Sequence, residues 1–138
     1  MSECIFCGIA ARTAPARIVH ENSDVICFLP VRLEVFGHTL IVPKRHYQDL
    51  FDIPADALAA VGEAGRELAN AYRGTLGATG ANLLHASGAD AEQSVFHFHV
   101  HLMPRFPGDG FSTWPKLPKF DADPDAVHAR LTAWRKDA

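Results

Sequence analysis

The chain has 138 residues, of which 48% are hydrophobic and 21% charged, with a formal net charge of −3. That length supports one domain able to bury roughly 68% of the surface its unfolded chain exposes. The acidic balance argues against nucleic-acid or anionic-membrane binding by bulk charge, and no apolar run approaches the ~20 residues a transmembrane helix needs.

The start, Met1-Ser2-Glu3-Cys4, has no basic and then apolar leader. Three cysteines, an odd number with two close together, do not form a disulfide framework. The expectation is a cytoplasmic protein with neither a membrane nor a nucleic acid as partner.

Taken in chain order, Cys4 to Ala11 is long enough for one or two helical turns. Arg17–His20 and Asp24–Leu29 read as strands, joined by a polar turn at Glu21-Asn22-Ser23-Asp24. His38–Pro43 reads as a third strand after a loop ending in Gly37. The clearest helix runs from about Pro54 to Leu76, with Leu58, Val61, Gly65, Leu68, Tyr72 and Leu76 on one face. Asn82–Ala86 reads as a fourth strand, and Ser87 to Glu92 as a polar loop. Val95–Arg105 reads as a fifth strand, followed by an irregular stretch rich in Pro and Gly. A last helix fits Pro124 to about Lys136, capped by Asp123, with Val127, Leu131 and Trp134 on one side. Strands around one long helix predict an α+β domain with a mostly antiparallel sheet.

The fifth strand carries the chemistry. In Phe96-His97-Phe98-His99-Val100-His101-Leu102, histidines alternate with bulky apolar residues. A strand of that pattern puts His97, His99 and His101 on one face and the apolar residues on the other. One metal held by all three is disfavoured, because His97 and His101 would stand ~13 Å apart along an extended backbone. Catalysis fits better. A neutral imidazole is a good nucleophile near pH 7, and a second imidazole beside it can share or deliver a proton. A histidine-rich exposed strand with no chemistry is the plainer alternative.

Gln93-Ser94-Val95 followed by His97-Phe98-His99-Val100-His101-Leu102 resembles the signature of the histidine triad family. Gly37-His38-Thr39-Leu40-Ile41-Val42-Pro43-Lys44-Arg45-His46 resembles that family's second marker, and Cys4-Ile5-Phe6-Cys7 is similar to its bacterial members. The resemblance covers roughly residues 4 to 105. The chain reads as a single such domain over 1–138, with the core at about 4–105 and an irregular segment and C-terminal helix at 106–138. The resemblance further implies a five-stranded, mostly antiparallel sheet extended across a homodimer.

The implied activity is hydrolysis or transfer of nucleoside monophosphates from phosphoramidates, dinucleoside polyphosphates or aminoacyl-adenylates. On this reading His99 attacks the α-phosphorus to form a nucleotidyl-histidine intermediate. His101 contacts phosphate and organises His99, His38 supports the pair, and Gln93 and Ser94 face the phosphate. No catalytic metal is required.

Cys4-x-x-Cys7 alone supplies two thiolates at metal-ligand spacing, which is half a zinc site, a redox pair or two small hydrophobes. The resemblance implies that His46 and His97 complete a structural Cys2His2 zinc site. Cys27, inside a strand, reads as a buried free thiol.

The chain departs from the family pattern at two places. Eight residues before His38, where the family has an Asp that holds the ribose hydroxyls, stands Pro30. Eleven residues before His97, where many members have Asn, stands Ala86. Glu34 is the nearest candidate to replace the lost carboxylate. The substrate expectation therefore includes an atypical phosphoester or a weakly held nucleotide.

Among the remaining residues, Trp114 reads as packing or as reaching the active site or a dimer partner. Lys44 and Arg45 read as solvated, Arg105 as a candidate polyphosphate contact, and His20, His85 and His128 as ordinary polar residues. Two rival functions are a regulatory nucleotide-binding module with little turnover and a metal-storage or metal-sensing protein. The second leaves Gln93-Ser94 unexplained.

Overall fold

A computed structural model of the protein describes residues 4–135. A short helix α1 (Ile5–Ala10) precedes the hairpin β1 (Ile18–Glu21) and β2 (Val25–Phe28), then β3 (Thr39–Pro43) and the long helix α2 (Ala55–Thr75). After it come β4 (Gly80–Leu84), β5 (Val100–Arg105) and α3 (Pro124–Thr132). The five strands form one sheet in the order β1-β2-β3-β5-β4, antiparallel at every pair.

Local chemistry explains the turns and ends. Asn22 Oδ1 accepts from the Asp24 and Val25 amides at 2.8 and 2.9 Å, closing the β1–β2 turn as an Asx motif. Asp123 caps α3 as expected, accepting from the Asp125 amide at 3.1 Å. Lys136, the expected end of that helix, lies outside the described residues.

The alternation of the strands sorts two cores onto opposite faces. Val25, Cys27, Ile41, Phe98 and Leu102 pack beneath Val61, Ala64 and Leu68 of α2. Gly65 lets that helix come close, its missing Cβ standing 3.4–3.6 Å from the side-chain tips of Ile41 and Leu83. On the other face Ile26, Phe28, Leu40 and Val42 are covered by Phe6 and Ile9 of α1. Burial pushes the Cys27 thiol up to about 12, so it is an inert core residue as expected.

The fifth strand is shorter than the sequence pattern suggests. The expected span Val95–Arg105 enters the ladder only at Val100. Continuing the β3–β5 register would set Phe98 opposite Pro43, which has no N–H to give. The Phe98 amide instead donates to the Tyr47 carbonyl at 2.6 Å. The fourth strand is likewise displaced: it covers Gly80–Leu84 rather than Asn82–Ala86, because Gly80 and Ala81 already pair with Arg105 and Pro104. The expected apolar side of the last helix is uncovered within one chain, with Leu131 68% and Trp134 75% exposed.

Gly37 sets where β3 begins. Its φ is +85°, and a Cβ there would lie 2.9 Å from Pro104 Cγ and 3.1 Å from Leu76 Cδ1. Gly37→Ala should therefore cost ~1–3 kcal/mol through strain and contact. Gly62, mid-helix with nothing within 4 Å of its Cβ position, should gain ~0.5–1 kcal/mol on Gly62→Ala. Thermal unfolding of the two variants should shift in opposite directions.

Candidate active site

The bend at residues 95–99 still keeps the three histidines on one side of the sheet. Phe6 meets the His97 ring edge-on at 5.9 Å and the His99 ring at 5.2 Å between centroids. Phe98 points the other way, into the core under α2. The expected sorting of the two faces therefore holds from His97 to Leu102, although Phe96 is left largely exposed.

A buried ring nitrogen that faces a peptide group has its donor or acceptor role set by that group. His99 donates Nδ1–H to the His97 carbonyl at 2.8 Å. A carbonyl only accepts, so the neutral ring carries its lone pair on Nε2. Among the described residues no protein group bonds to that nitrogen.

His38 Nδ1 accepts from the Glu34 amide at 3.2 Å, which places its proton on Nε2. That N–H donates to His101 Nδ1 at 2.9 Å, and His101 is left with an N–H on its own Nε2. His99 and His101 lie side by side, 5.1 Å between centroids. A lone pair and an N–H donor thus stand next to one another.

Desolvation keeps these rings neutral. Burial is the first cause that lowers His38, His97 and His99 below the ordinary histidine value. His101 is pushed down to about 4, first by burial and then by its neighbours His99, His38 and His85.

The two rings open onto a cavity of about 800 Å³. Ile5, Phe6 and Ile9 of α1 form one wall, with Phe28 and Leu40 of the sheet beside them. The chain from Leu29 to Glu34 and Arg17 form the far rim, and Ser94 and Val95 border the histidine end. Its size and mostly apolar walls suit a nucleotide-sized ligand with few polar anchors. Pro30 lines the rim and offers no side-chain acceptor, while Glu34 also reaches it.

Behind this cavity, Cys4, Cys7, His46 and His97 bring four ligand atoms within 4.8 Å of one another. Cys4 Sγ and Cys7 Sγ stand 3.4 and 3.5 Å from His97 Nδ1, and Cys7 Sγ lies 3.4 Å from His46 Nδ1. Zinc bonds of ~2.0–2.3 Å in a tetrahedron place neighbouring ligand atoms roughly 3.3–3.8 Å apart. The protonation pattern agrees. His97 donates Nε2–H to the Pro43 carbonyl at 2.8 Å, which leaves the Nδ1 lone pair facing the sulfurs. Burial, then the Cys4 sulfur, pushes the Cys7 thiol up, a cost that a divalent cation would offset. These residues fit a zinc ion.

Four side chains find partners that the sequence reading does not give them. Gln93 is buried, and its amide is taken up by the backbone rather than by the cavity. Its Oε1 accepts from the Gly88 amide at 2.7 Å, and its Nε2 donates to the Gln48 and Val95 carbonyls. In this arrangement the side chain braces two loops.

Arg105, expected as a polyphosphate contact, is occupied too. It forms a two-pronged pair with Asp109 at 2.8 and 2.9 Å, bonds Asn82 and the Phe111 carbonyl, and lies over the Phe111 ring. Lys44 pairs with Glu21 at 2.6 Å.

His85, read from sequence as an ordinary polar residue, donates Nδ1–H to the His99 carbonyl at 2.8 Å. The one signal for it is register. Pairing Leu84 with His101 brings the residue that follows β4 beside the segment that carries His99.

Residues 11–108 match the family model described as HIT domain. An uncharacterized HIT-like protein of Mycobacterium tuberculosis is 40% identical over 109 residues, covering 79% of this chain and 76% of that protein. An adenylylsulfatase of Arabidopsis thaliana is 35% identical over 104 residues, 75% of this chain and 53% of that one. Among solved structures, a HIT family protein from Bacillus anthracis superposes with a TM-score of 0.86 at 31% identity, over 99% of this chain and 97% of that one. A zinc-bound histidine triad family protein from Mycobacterium smegmatis superposes at 0.78 with 33% identity, over 99% of both chains. Matched by the family model over most of its length, and by relatives of this identity and coverage, the chain belongs to the histidine triad family.

Proposed function

We propose that the protein is a hydrolase or transferase acting on nucleotides at the α-phosphorus, with His99 as nucleophile. The observation that carries this reading is the pair of fixed tautomers: a free Nε2 lone pair on His99 beside an Nε2–H on His101, both at the cavity. The kinship with an adenylylsulfatase supports hydrolysis at a nucleotide phosphorus in general. Nucleoside phosphoramidates and dinucleoside polyphosphates are the substrate classes proposed.

In the first step the His99 Nε2 lone pair bonds to phosphorus as the bond to the leaving nitrogen or oxygen breaks. The leaving atom takes a proton from Ser94, at the solvent-open edge, and solvent restores it. His101 donates to a phosphoryl oxygen and stabilises the charge that builds there. Water then attacks phosphorus, the phosphorus–Nε2 bond breaks with its electrons returning to the ring, and the nucleoside monophosphate leaves with a solvent-exchanged proton. His38 holds His101 in the required tautomer. With Pro30 at the rim, the ribose hydroxyls lose the carboxylate that the family motif places there. Each such lost bond costs about 0.5–1.5 kcal/mol, so a high KM for simple nucleotides is expected.

Incubation with adenosine and guanosine phosphoramidates, dinucleoside polyphosphates and simple phosphoesters tests the reaction. Rapid quenching without acid should reveal a protein adduct heavier by one nucleotidyl group, absent from His99→Ala. Full turnover by that variant would remove His99 from the mechanism.

Sign and window of the pH dependence follow from the neutral rings. A group lowered to about 4 is in its working, neutral form above that value and loses it below. Protonation of His101 Nδ1 would break its bond to His38. We expect kcat/KM to stay level from about pH 8 to 6 and to fall only toward pH 4. An acid limb centred at 6.5 or higher would contradict desolvated rings.

Cys4, Cys7, His46 and His97 are proposed to hold a structural zinc. Bound there, the ion would fasten α1 to the sheet and so support the cavity wall formed by Ile5, Phe6 and Ile9. A homodimer is proposed for the same chain. Trp114, Leu117, Phe120, Leu131 and Trp134 are all at least two-thirds exposed within one chain, a surface that a second copy would cover. Native mass spectrometry of protein purified without added metal should give two chains and two zinc ions per particle. The variant Cys7→Ala should lose the metal and melt at a lower temperature.

A further inference from the structure

We propose that His85 is a positioning residue that aims the His99 nucleophile, acting through the peptide unit rather than through the substrate. This rests on the reaction proposed above and adds a residue outside the cavity to it. Four hydrogen-bonded groups in a row, the His99 carbonyl, His85, Ser87 and the Leu50 amide, carry the proposal.

The His99 carbonyl can only accept, so His85 carries its proton on Nδ1 and donates it across 2.8 Å. A ring with its single proton on Nδ1 has a lone pair on Nε2, which accepts from the Ser87 hydroxyl at 2.5 Å. The Ser87 oxygen in turn accepts from the Leu50 amide at 2.8 Å. The His85 ring also lies against Phe98, with centroids 4.4 Å apart and planes 30° from parallel. Every rotation of that ring is therefore opposed by a hydrogen bond or by the Phe98 face.

The place of this chain in the sheet gives it a task. The β4–β5 ladder ends at Leu84 and His101, so no strand backbone holds the His99 carbonyl from the β4 side. The His85 side chain supplies the missing bond. On its other side, His99 sends its own Nδ1–H back to the His97 carbonyl. The nucleophilic residue is thus gripped at its ring and at its peptide oxygen, and these two bonds fix the direction of Nε2. Attack at phosphorus demands alignment, and displacement by about 1 Å can cost on the order of 100-fold in rate. His85 does not line the cavity, so its loss should leave substrate binding nearly unchanged.

Three substitutions separate the two ring nitrogens. His85→Asn keeps an N–H donor where Nδ1 stood. His85→Gln moves the amide to where Nε2 stood, and His85→Phe keeps only the contact with Phe98. With a phosphoramidate substrate, His85→Phe and His85→Gln should lower kcat roughly 10- to 100-fold with KM within about threefold. His85→Asn should recover most of kcat, with all three melting as cooperatively as the parent. A His85→Phe variant with kcat within twofold of the parent would overturn the proposal, as would a loss confined to KM.

A second measurement needs no substrate. In protein carrying 15N-histidine, the ring nitrogens of His85 should report the Nδ1–H form, and His99 should report a single tautomer that becomes mixed in His85→Phe. An Nε2–H form at His85 would overturn the placement directly. If the parent protein formed no nucleotidyl adduct, the reaction itself would be wrong, and the ring spectra would still decide where His85 sits.

Discussion

A neutral imidazole offers one N–H and one lone pair, and burying it requires a partner of the opposite kind for each. In this protein the partners are mostly peptide groups, which cannot exchange donor for acceptor. The Glu34 amide fixes His38, and the carbonyls of Pro43, His97 and His99 fix His97, His99 and His85. One set of bonds therefore does two things. It satisfies polar atoms that would otherwise destabilise the interior, and it decides which nitrogen of each ring is free for chemistry.

Residue His97 joins the cluster of Cys4, Cys7 and His46 to the proposed nucleophile His99. Its ring faces Cys4 and Cys7, whereas its carbonyl receives the proton of the His99 ring. Phe6, on the helix that begins between the two cysteines' positions, leans on both rings at once. Movement of α1 would thus be felt in the cavity wall and in the ring behind it. This coupling is short in distance and made of rigid groups, so it needs no large rearrangement.

Much of this was legible in the sequence because period-two alternation survives the bend at residues 95–99. Phe98, Val100 and Leu102 are drawn to α2 whatever the backbone pairing, and the histidines then face the other way. The start of the strand was not legible. It depends on Phe98 finding the Tyr47 carbonyl, a contact 51 positions away that no local pattern encodes. Gln93 shows a related limit. Its place beside Ser94 suggests a substrate contact, but its amide satisfies backbone groups from two other loops. His85 was missed because its partner is a carbonyl, and carbonyls leave no mark in a sequence. Side-chain identity reveals which chemistry is available; which groups consume it depends on tertiary contacts.

The two histidine-containing sites also differ in a way that separates the competing functions. The cluster of Cys4, Cys7, His46 and His97 supplies four ligand atoms, a number that fills a tetrahedral ion and leaves no position for a substrate. An ion held so would have a structural role. The pair His99 and His101 is arranged in the opposite sense, with two ring nitrogens that bond to no protein group among the described residues and border an open cavity. A protein built only to store or sense metal would have no use for that second arrangement, nor for the bonds that hold its tautomers. A module that merely binds nucleotides could use the cavity and the His101 donor, but it would gain nothing from an aligned lone pair on His99. The costly feature is the burial of several neutral imidazoles in mutual contact, and nucleophilic displacement is the reading that uses all of it.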